Sequence, residues 1–402
     1  LSNNLTGTNF LLSLETQGIK LGLERTKKLL LKCHSPHQNL QSIQIIGTNG
    51  KGTTAASISS ILQSAGLNVG LYTSPHLVSL HERIQINNQC INDNDINQFI
   101  QRYKKDIIDN SSTFFETMTV LALDFFQNNH VDIAILETGL GGEYDSVTAC
   151  QPCLQVFTKI SKDHMHILGN NIKDIATTKA NAIQNLTPCI SLEQSADVKF
   201  ILDSIAKKKG VFIDYNLGVF SNDYISPLLG NHQKDNILLA VKASQTLYPS
   251  ITKNEIIDGI HNICWPGRMQ IIARDPLVIF DVAHNEDGLL AFCSTINQLE
   301  IKGKKTLILS LQKSKHIDKA LSPLSILFDD IFCTQLNNRM YNNKDLSDLF
   351  SNYKCIKSTI NPTNTIKTIL SSSSSNDLLV ILGSHYWGEE IEKIFKISLV
   401  SI

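Results

Sequence analysis

The sequence lacks an excess of charge of either sign, because 36 basic residues face 37 acidic ones and the formal net charge is -1. This balance gives no indication of a nucleic-acid or membrane-surface partner, so we expect small molecules as partners. The sequence also lacks an apolar run of about 18 residues and a charged-then-apolar leader. Neither a membrane span nor a secretory signal is therefore predicted.

The cysteines do not suggest a disulfide framework. They are nine, an odd number, scattered through 402 residues, which is typical of proteins in the reducing cytosol. Cys150 and Cys153 have CxxC spacing, but zinc needs two further ligands at a matching spacing and none follows. We interpret the pair as ordinary thiols and predict a cytoplasmic location.

A chain of 402 residues is too long for one ordinary core and indicates two or three domains. In its first part, short apolar runs alternate with helical patterns. Strands are predicted at residues 44–46, 69–72, 131–136, 154–158 and 189–192, and helices at 54–64, 116–127 and 172–183. This alternation predicts a doubly wound parallel sheet.

The alternation pauses at CWPGRMQ, residues 264–270, where Pro266 and Gly267 break regular structure. It resumes with strands predicted at 277–281, 306–309, 330–334 and 378–382, and with helices beginning near residues 285, 315, 343 and 386. We therefore predict an α/β chain of two domains. Residues 1–270 form a P-loop-type doubly wound parallel sheet, and residues 271–402 form a smaller Rossmann-like α/β domain. The serine run at 371–375 is predicted to be a surface loop.

The stretch IQIIGTNGKGTTAASISSIL, residues 43–62, looks like a phosphate-binding loop with unusual spacing. The usual loop has four residues between its glycines and the hydroxyl directly after the lysine. Here only Thr48 and Asn49 separate Gly47 from Gly50. A buried strand precedes the loop and a helix follows it, which is the arrangement that a phosphate site needs.

We expect the backbone amides from Gly47 to Thr53, together with the helix dipole, to hold the phosphates. Lys51 would approach the outer phosphates, and the Thr53 hydroxyl suits magnesium or phosphate. The alternative is a glycine-rich turn that binds nothing. The Lys-Gly-Thr run at the start of a helix argues against it.

Two carboxylates end predicted buried strands. Glu137 ends VDIAILE, and Asp281 ends LVIFD ahead of a turn and a helix start near Asn285. Open α/β sheets bind ligands at the carboxyl ends of their strands. Glu137 is therefore a candidate magnesium ligand, with a helix-cap role as the alternative.

The loop GTNGKGTT resembles the variant loop of the Mur ligase superfamily, and within it that of the folylpolyglutamate synthase/dihydrofolate synthase family. Further segments resemble this family in the same order: LGLERT at 21–26, YTSPHL at 72–77, FFE at 114–116, ILETGLGG at 135–142, DH at 163–164, PGRMQ at 266–270 and FDVAHN at 280–285. Each segment alone is weak evidence. The ordered set covers most of the chain and is specific.

The resemblance implies an ATP-dependent ligase that adds L-glutamate to dihydropteroate and, by γ-linkage, to reduced folates. The γ-phosphate passes to a carboxylate, and an amine then displaces phosphate from the acyl phosphate. The implied cofactors are ATP and two magnesium ions, with potassium as a further cation. The resemblance also implies a monomer.

The resemblance implies four groups of site residues. The implied metal ligands are Ser74, Glu137, His164 and Lys179, the last as a carbamate. The implied nucleotide contacts are Asn49, Gly50, Lys51, Gly52, Thr53, Asn236, Arg268 and Asp281. The implied catalytic residues are Lys51, Lys179, Arg268 and His284, with Asn285 in the wall of the site. The implied folate-side residues are Gly22, Leu23, Glu24, Arg25, Phe115, Glu116, Asp145 and Ser146.

The residues alone leave other interpretations open for some of these positions. On spacing, His166 is as good a ligand as His164. Lys179 reads as a solvated helix residue and Arg268 as a hinge arginine in a surface ion pair. The aromatic pair Phe114 and Phe115 is more often plain core than a ring-binding site.

Two segments depart from the family pattern. The family usually continues Gly-Gly-Arg-Leu-Asp-Ala-Thr-Asn, whereas this chain reads GGEYDSVT, so Glu143 reverses a charge while Asp145 is kept. The segment TKANAI has Thr178 and Asn181 where the family usually has glutamate and glycine. These changes bear on substrate preference.

Three functions are consistent with the sequence. The preferred one is the folate ligase described above. The second is another amide ligase of the superfamily, acting on a cell-wall or amino-acid polymer precursor, which the LGLER and FFE segments disfavour. The third is a folate- or nucleotide-binding relative without turnover. Six dispersed polar residues argue against it: Lys51, Glu137, His164, Lys179, Arg268 and Asp281.

Overall fold

The computed structural model describes residues 6–18, 20–353 and 356–399. The chain forms two compact units, each with its own sheet. The first unit comprises Leu1–Ser161, Leu168–Ser226 and Asp235–Ile263, and the second comprises Lys162–Ile167, Pro227–Lys234 and Cys264–Ile402. Two short segments of the chain thus belong to the second unit before the long C-terminal part that starts at Cys264.

The first unit contains an eight-stranded sheet. Its strands are β1 (Ser42–Ile46), β2 (Val69–Tyr72), β3 (Ile84–Ile86), β4 (Gln89–Cys90), β5 (Ile133–Glu137), β6 (Leu154–Phe157), β7 (Cys189–Ser191) and β8 (Ile213–Asp214). Their order is β4-β3-β2-β5-β1-β6-β7-β8. Every pair from β2 to β8 in this order is parallel, whereas β3 is antiparallel to both of its neighbours, β2 and β4.

Helices connect and cover these strands. Those that lie wholly or partly in the first unit are α1 (Gly7–Ser13), α2 (Glu24–Lys32), α3 (Lys51–Ser64), α4 (Asp93–Asp109), α5 (Phe114–Asn128), α6 (Met165–Leu168), α7 (Ile172–Ala180), α8 (Ala196–Lys208), α9 (Asn231–Leu247) and α10 (Lys253–His261). The central strands β1 and β5 are buried along their whole length, which explains why most of their residues are apolar.

The second unit contains a six-stranded sheet. Its strands are β9 (Gln270–Arg274), β10 (Leu277–Asp281), β11 (Lys305–Leu309), β12 (Asp330–Cys333), β13 (Lys357–Ser358) and β14 (Leu378–Leu382), in the order β13-β12-β11-β14-β10-β9. All pairs are parallel except β10 with β9. Its helices are α11 (Glu286–Asn297), α12 (Asp318–Leu327), α13 (Asn343–Asp348), α14 (Pro362–Ser372) and α15 (Gly388–Phe395).

The predicted fold class is confirmed: two α/β units, each with a mainly parallel sheet. The sequence did not predict the edge hairpin of β3 and β4, whose turn residues Asn87 and Asn88 both have positive φ. The prediction of a surface loop at 371–375 is wrong at its start, because Ser371 and Ser372 end α14. No helix in the described part of the chain is long and apolar enough to cross a membrane.

Candidate active site

The glycine loop after β1 is closely packed on its neighbours. Gly50 has a φ of 86°, and a Cβ at this position would overlap the side-chain amide of Asn236. A Cβ at Gly47 would overlap the Thr158 hydroxyl, just past β6. The structure therefore brings Asn236 against the predicted phosphate loop, and only glycine fits at these two positions.

The loop is fastened to the segment that follows β6. The amides of Thr48 and Asn49 both donate to the Lys159 carbonyl, at 2.9 and 3.2 Å. The Thr48 hydroxyl also accepts from the Ser161 amide at 3.1 Å. The expectation that every amide from Gly47 to Thr53 faces phosphate is therefore wrong for Thr48 and Asn49.

The amides of Lys51, Gly52 and Thr53 form the first turn of α3, where intrahelical acceptors do not exist. No side chain caps this turn within the described residues. Thr54 makes the first helical bond, from its amide to the Gly50 carbonyl at 2.9 Å. The N-terminus of a 14-residue helix with uncapped amides is an anion-binding arrangement, so these residues fit a nucleotide phosphate.

Lys51 and Glu137 face each other at the carboxyl ends of two adjacent parallel strands. The register places Glu137 beside Ile45 of β1. Lys51 Nζ lies 3.7 Å from Glu137 Oε1, and the Ser74 amide donates to Glu137 Oε2 at 3.0 Å. Glu137 is almost fully buried. The structure thus brings together two predicted metal-site residues, Ser74 and Glu137, with the phosphate-loop lysine.

The donor set near Glu137 fits magnesium only in the company of phosphates. No group of three or more His, Cys, Asp or Glu side chains that could hold a metal occurs among the described residues. Magnesium is usually held by one or two carboxylates together with substrate phosphates and waters. A single strand-end carboxylate beside a phosphate loop matches that mode of binding.

Lys179 connects the loops that follow β1 and β5. It is buried near the end of α7, and its Nζ donates to the Gly47 carbonyl at 2.7 Å and to the Gly141 carbonyl at 3.3 Å. The reading of Lys179 as a solvated helix residue is therefore wrong. Its amine is therefore hydrogen-bonded to the first residue of the phosphate loop.

The loop after β5 is hydrogen-bonded to the C-terminal end of α7. The Glu143 amide donates to the Thr178 carbonyl at 3.0 Å, and Asn181 Nδ2 donates to Glu143 Oε2 at 2.9 Å. A Cβ at Gly142 would lie 2.9 Å from the Lys179 Cα. The loop and helix backbones are thus in close contact at Lys179.

Arg25 and Glu116, both predicted folate-side residues, form an ion pair. Arg25 Nε donates to both Glu116 oxygens, at 3.0 and 3.2 Å, and Arg25 Nη2 lies 2.9 Å from Oε1. Glu116 also accepts from the Thr113 amide at 2.8 Å in a capping box that starts α5. The pair joins the start of α2 to the start of α5. Glu24, in contrast, points to solvent with its side chain 81% exposed.

Phe115, Asp145 and Ser146 lie around the loop after β5. A Cβ at Gly139 would overlap the Phe115 ring, so this ring covers the loop backbone. The Asp145 carboxylate accepts from the amides of Leu140 and Val147, at 2.9 and 3.0 Å. Burial raises the pKa of Asp145 to about 6, although these backbone bonds and the Lys51 charge act in the opposite direction. Ser146 accepts from the Thr119 hydroxyl at 3.1 Å.

Gly22 and Leu23 precede α2. Gly22 has a φ of 118° with open space around it, and Leu23 is the N-cap of the helix. Gly22 thus supplies a turn that other residues rarely adopt.

Arg83 is a buried cation that was not predicted from the sequence. Its Nε donates to His76 Nδ1 at 2.9 Å, and its guanidinium lies 5.2 Å from the centre of the Phe114 ring. Burial, together with the Arg83 charge, lowers the pKa of His76 to about 4. The signal was the position of Arg83 a few residues beyond YTSPHL, which carries the implied metal ligand Ser74.

Asp281, Arg268 and His284 are neighbours in the second unit. Asp281 accepts from the Met269 amide at 2.7 Å and from the Ala283 amide at 2.6 Å. Burial raises the pKa of Asp281, and the Arg268 charge partly offsets this effect. His284 Nδ1 donates to the Val282 carbonyl at 2.8 Å, and burial with the Lys315 charge lowers the pKa of His284 to about 4.

Asp163 is the centre of a polar cluster in the second unit. It accepts from Lys315 Nζ at 2.5 Å, from Asn285 Nδ2 at 3.0 Å and from the His164 amide at 2.7 Å. Burial alone would raise the pKa of Asp163, but the charges of His164 and Lys315 outweigh it and lower the pKa. Lys315 was not predicted from the sequence, since a partner 152 residues away leaves no local signal. His164 itself has a φ of 48° and a partly exposed ring.

A glycine loop with an uncapped helix start, facing a strand-end carboxylate on a parallel sheet, is the site of a phosphate-binding α/β enzyme. Two protein-family models match the chain. The Mur ligase middle domain matches residues 45–224, and the Mur ligase, glutamate ligase domain matches residues 267–385.

A curated relative from Bacillus subtilis (strain 168), named dihydrofolate synthase/folylpolyglutamate synthase, is 31% identical and covers 94% of this chain and 96% of its own. The structure of Escherichia coli FolC in complex with DHPP and ADP has a TM-score of 0.89 and 27% identity, with 98% of both chains covered. A bifunctional folylpolyglutamate synthase/dihydrofolate synthase with Mn, AMPPNP and L-glutamate bound has a TM-score of 0.87 and 25% identity, covering 98% of this chain and 99% of that one.

The chain is therefore a ligase of the Mur superfamily. It belongs to the dihydrofolate synthase/folylpolyglutamate synthase family. Both the family and the enzyme class predicted from the sequence are confirmed.

Proposed function

We propose that this chain joins L-glutamate to dihydropteroate and, by γ-linkage, to reduced folates, at the expense of ATP. The acceptor carboxylate takes the γ-phosphoryl group and ADP leaves. The glutamate amine then attacks the acyl carbon, loses a proton and displaces inorganic phosphate. One observation carries the proposal. Lys51, the first residue of the uncapped helix α3, has its Nζ 3.7 Å from the Glu137 carboxylate.

The nucleotide side of the proposal uses the first turn of α3. The amides of Lys51, Gly52 and Thr53 receive phosphate oxygens, and the Lys51 ammonium offsets the charge of the transferring group. Gly50 lets Asn236 pack beside the nucleotide. We assign Arg268, Asp281 and the side chain of Asn49 to further nucleotide contacts, as the resemblance implies.

The metal side of the proposal assigns magnesium to Glu137 and Ser74, with His164 and a carbamylated Lys179 as the other implied ligands. When bound, magnesium neutralises charge on the phosphates. Glu137 is suited to this role because it is buried and ends its strand beside the phosphate loop. Two magnesium ions, a potassium ion and a monomeric state remain predictions.

On the acceptor side, we assign the folate to the region of Phe115, Asp145, Ser146 and the loop at Gly22 and Leu23. The Phe115 ring, which covers the backbone at Gly139, offers a face for a planar heterocycle. Arg25 and Glu116 hold this region in place through their ion pair. In the second unit, His284 has a pKa lowered to about 4, so it is neutral near pH 7 and its Nε2 can accept a hydrogen bond from a substrate group.

The test is a phosphate-release assay with ATP, magnesium and L-glutamate, with either dihydropteroate or tetrahydrofolate as acceptor. We expect release that depends on the acceptor. Lys51→Met should reduce kcat by about a hundredfold or more, because it removes a cation from the transferring phosphate. Lys173→Met is the matched control, since Lys173 is a surface lysine on α7 paired with Asp197.

The choice of acceptor separates the possible functions. Release with dihydropteroate alone would restrict the chain to dihydrofolate synthase, and release with tetrahydrofolate alone would restrict it to folylpolyglutamate synthase. If neither acceptor supports release, the proposal is wrong. A different amide ligase, or a binding protein without turnover, would then take its place.

A further inference from the structure

We infer that Glu143 and Asn181 form a positioning contact that fixes Lys179 for the ligase reaction. This inference rests on the proposed function and deepens it. Neither residue is assigned a role by the family resemblance, which marks both only as departures from the usual sequence. Their contact closes the loop after β5 onto the helix turn that carries Lys179.

The loop and the helix turn are joined at three successive places. Gly141 accepts from Lys179 Nζ, Glu143 donates its amide to the Thr178 carbonyl, and the Glu143 carboxylate accepts from Asn181 Nδ2 at 2.9 Å. The Gly142 backbone touches the Lys179 backbone between these bonds. The side-chain bond to Asn181 therefore lies two residues after the lysine, and the bond to Thr178 lies one residue before it, so the loop contacts the helix on both sides of Lys179.

The departures from the family pattern meet in this contact. Glu143 replaces the usual arginine, Thr178 the usual glutamate and Asn181 the usual glycine. These positions lie 35 and 38 residues apart along the chain, yet Glu143 contacts both of the others. The carboxylate that Glu143 introduces in the loop thus accepts a hydrogen bond from the amide that Asn181 introduces on the helix. The two segments therefore act as one unit.

The position of Lys179 matters because its amine joins two loops. It lies 2.7 Å from the carbonyl of Gly47, where the phosphate loop starts, and it holds the loop after β5 at Gly141. A shift of the last turn of α7 would move the amine away from the Gly47 carbonyl. Displacements of about 1 Å at a reacting centre can reduce rates by roughly a hundredfold.

The experiment exchanges donor and acceptor without changing side-chain size. Asn181→Asp places a second carboxylate against Glu143, and the added change Glu143→Gln supplies a donor again. We expect N181D to lower kcat by roughly tenfold, and the double variant E143Q/N181D to recover to within about threefold of the wild type. The KM for ATP should change little, because the first turn of α3 is untouched.

Thr177→Ala is the control on the same helix turn. Thr177 is exposed, and its hydroxyl donates to the Lys173 carbonyl rather than to the loop. We expect T177A to keep the wild-type kcat. Thermal unfolding of each variant distinguishes positioning from loss of the fold, since positioning predicts a fall in kcat at an unchanged Tm.

The inference is overturned if N181D keeps full activity, if the double variant does not recover, or if kcat falls only in step with Tm. Absence of turnover in the wild type would instead overturn the proposed function itself. The wild-type assay therefore separates failure of the reaction from failure of the positioning contact.

Discussion

His76 is kept in its neutral form by burial and by its neighbour Arg83. Arg83 Nε donates to His76 Nδ1, so a proton on that nitrogen would face a donor. Burial and the Arg83 charge lower the pKa of His76 from 6.5 to about 4. The unfolded chain therefore binds a proton between these pH values that the folded chain does not.

The first prediction is a pH-dependent stability due to His76. As the pH falls from 6.5 towards 4, His76 should reduce the free energy of unfolding with a slope of up to about 1.4 kcal/mol per pH unit. His76→Asn, whose Oδ1 can accept from Arg83, should remove this component. Urea unfolding at several pH values measures the difference, with the exposed His261→Asn as control. Parallel pH profiles for wild type and H76N would contradict the prediction.

At the residue scale, the sequence predicted the positions of structurally important residues more accurately than it predicted their contacts. Arg25 and Glu116 were selected as folate contacts, but their described contacts join α2 to α5. Asp281 was selected as a nucleotide contact, and both of its oxygens accept from the backbone. Lys315 was missed because its partner Asp163 is brought near only by tertiary folding. Motifs mark positions, whereas hydrogen-bond partners depend on the whole fold.

At the element scale, the start of α3 is the feature on which nucleotide binding depends. Its loop is fastened through Thr48 and Asn49 to Lys159, and the remaining amides belong to the first helical turn. Gly50 is the N-cap, in a left-handed conformation against Asn236.

The second prediction compares two glycines with nearly the same φ. Gly50 has a φ of 86° and no room for a Cβ, whereas Gly66 has a φ of 84° and open space. Gly66→Ala should therefore cost about 1–2 kcal/mol of stability through backbone strain and leave the KM for ATP unchanged. Gly50→Ala should also displace Asn236 and weaken ATP binding by roughly tenfold to a hundredfold. Equal ATP affinities for the two variants would contradict the assigned role of the loop.

The strands were the elements best predicted from the sequence. Strands β2, β10 and β14 have the predicted bounds, because buried parallel strands are continuous apolar runs bounded by turn residues. Helix ends were less accurate, and α3 begins three residues earlier than predicted. The edge strands β3 and β4 were missed, since they are short and only partly buried. Local patterns identify the centre of a sheet more readily than its edge.

At the scale of the whole molecule, a bound nucleotide should stabilise the folded chain. The third prediction is that magnesium and ADP at about a hundred times Kd add about 2.7 kcal/mol to the free energy of unfolding. For a unit of this size, the expected rise in Tm is roughly 5 to 10 °C. Scanning calorimetry measures it, and Lys51→Met should lose most of the rise while Lys173→Met keeps it. A rise of the same size in Lys51→Met would contradict the binding site at α3.

The interleaved path of the chain limits how the protein can be divided into fragments. A piece that starts at Cys264 would contain most of the second unit but neither Lys162–Ile167 nor Pro227–Lys234. Lys315 would then keep its place beneath the surface and lose the carboxylate of Asp163. Stranding one member of such a buried pair typically costs about 3–5 kcal/mol, a large part of the stability of a small domain. Each unit has its own sheet, yet no single cut in the chain separates the two units.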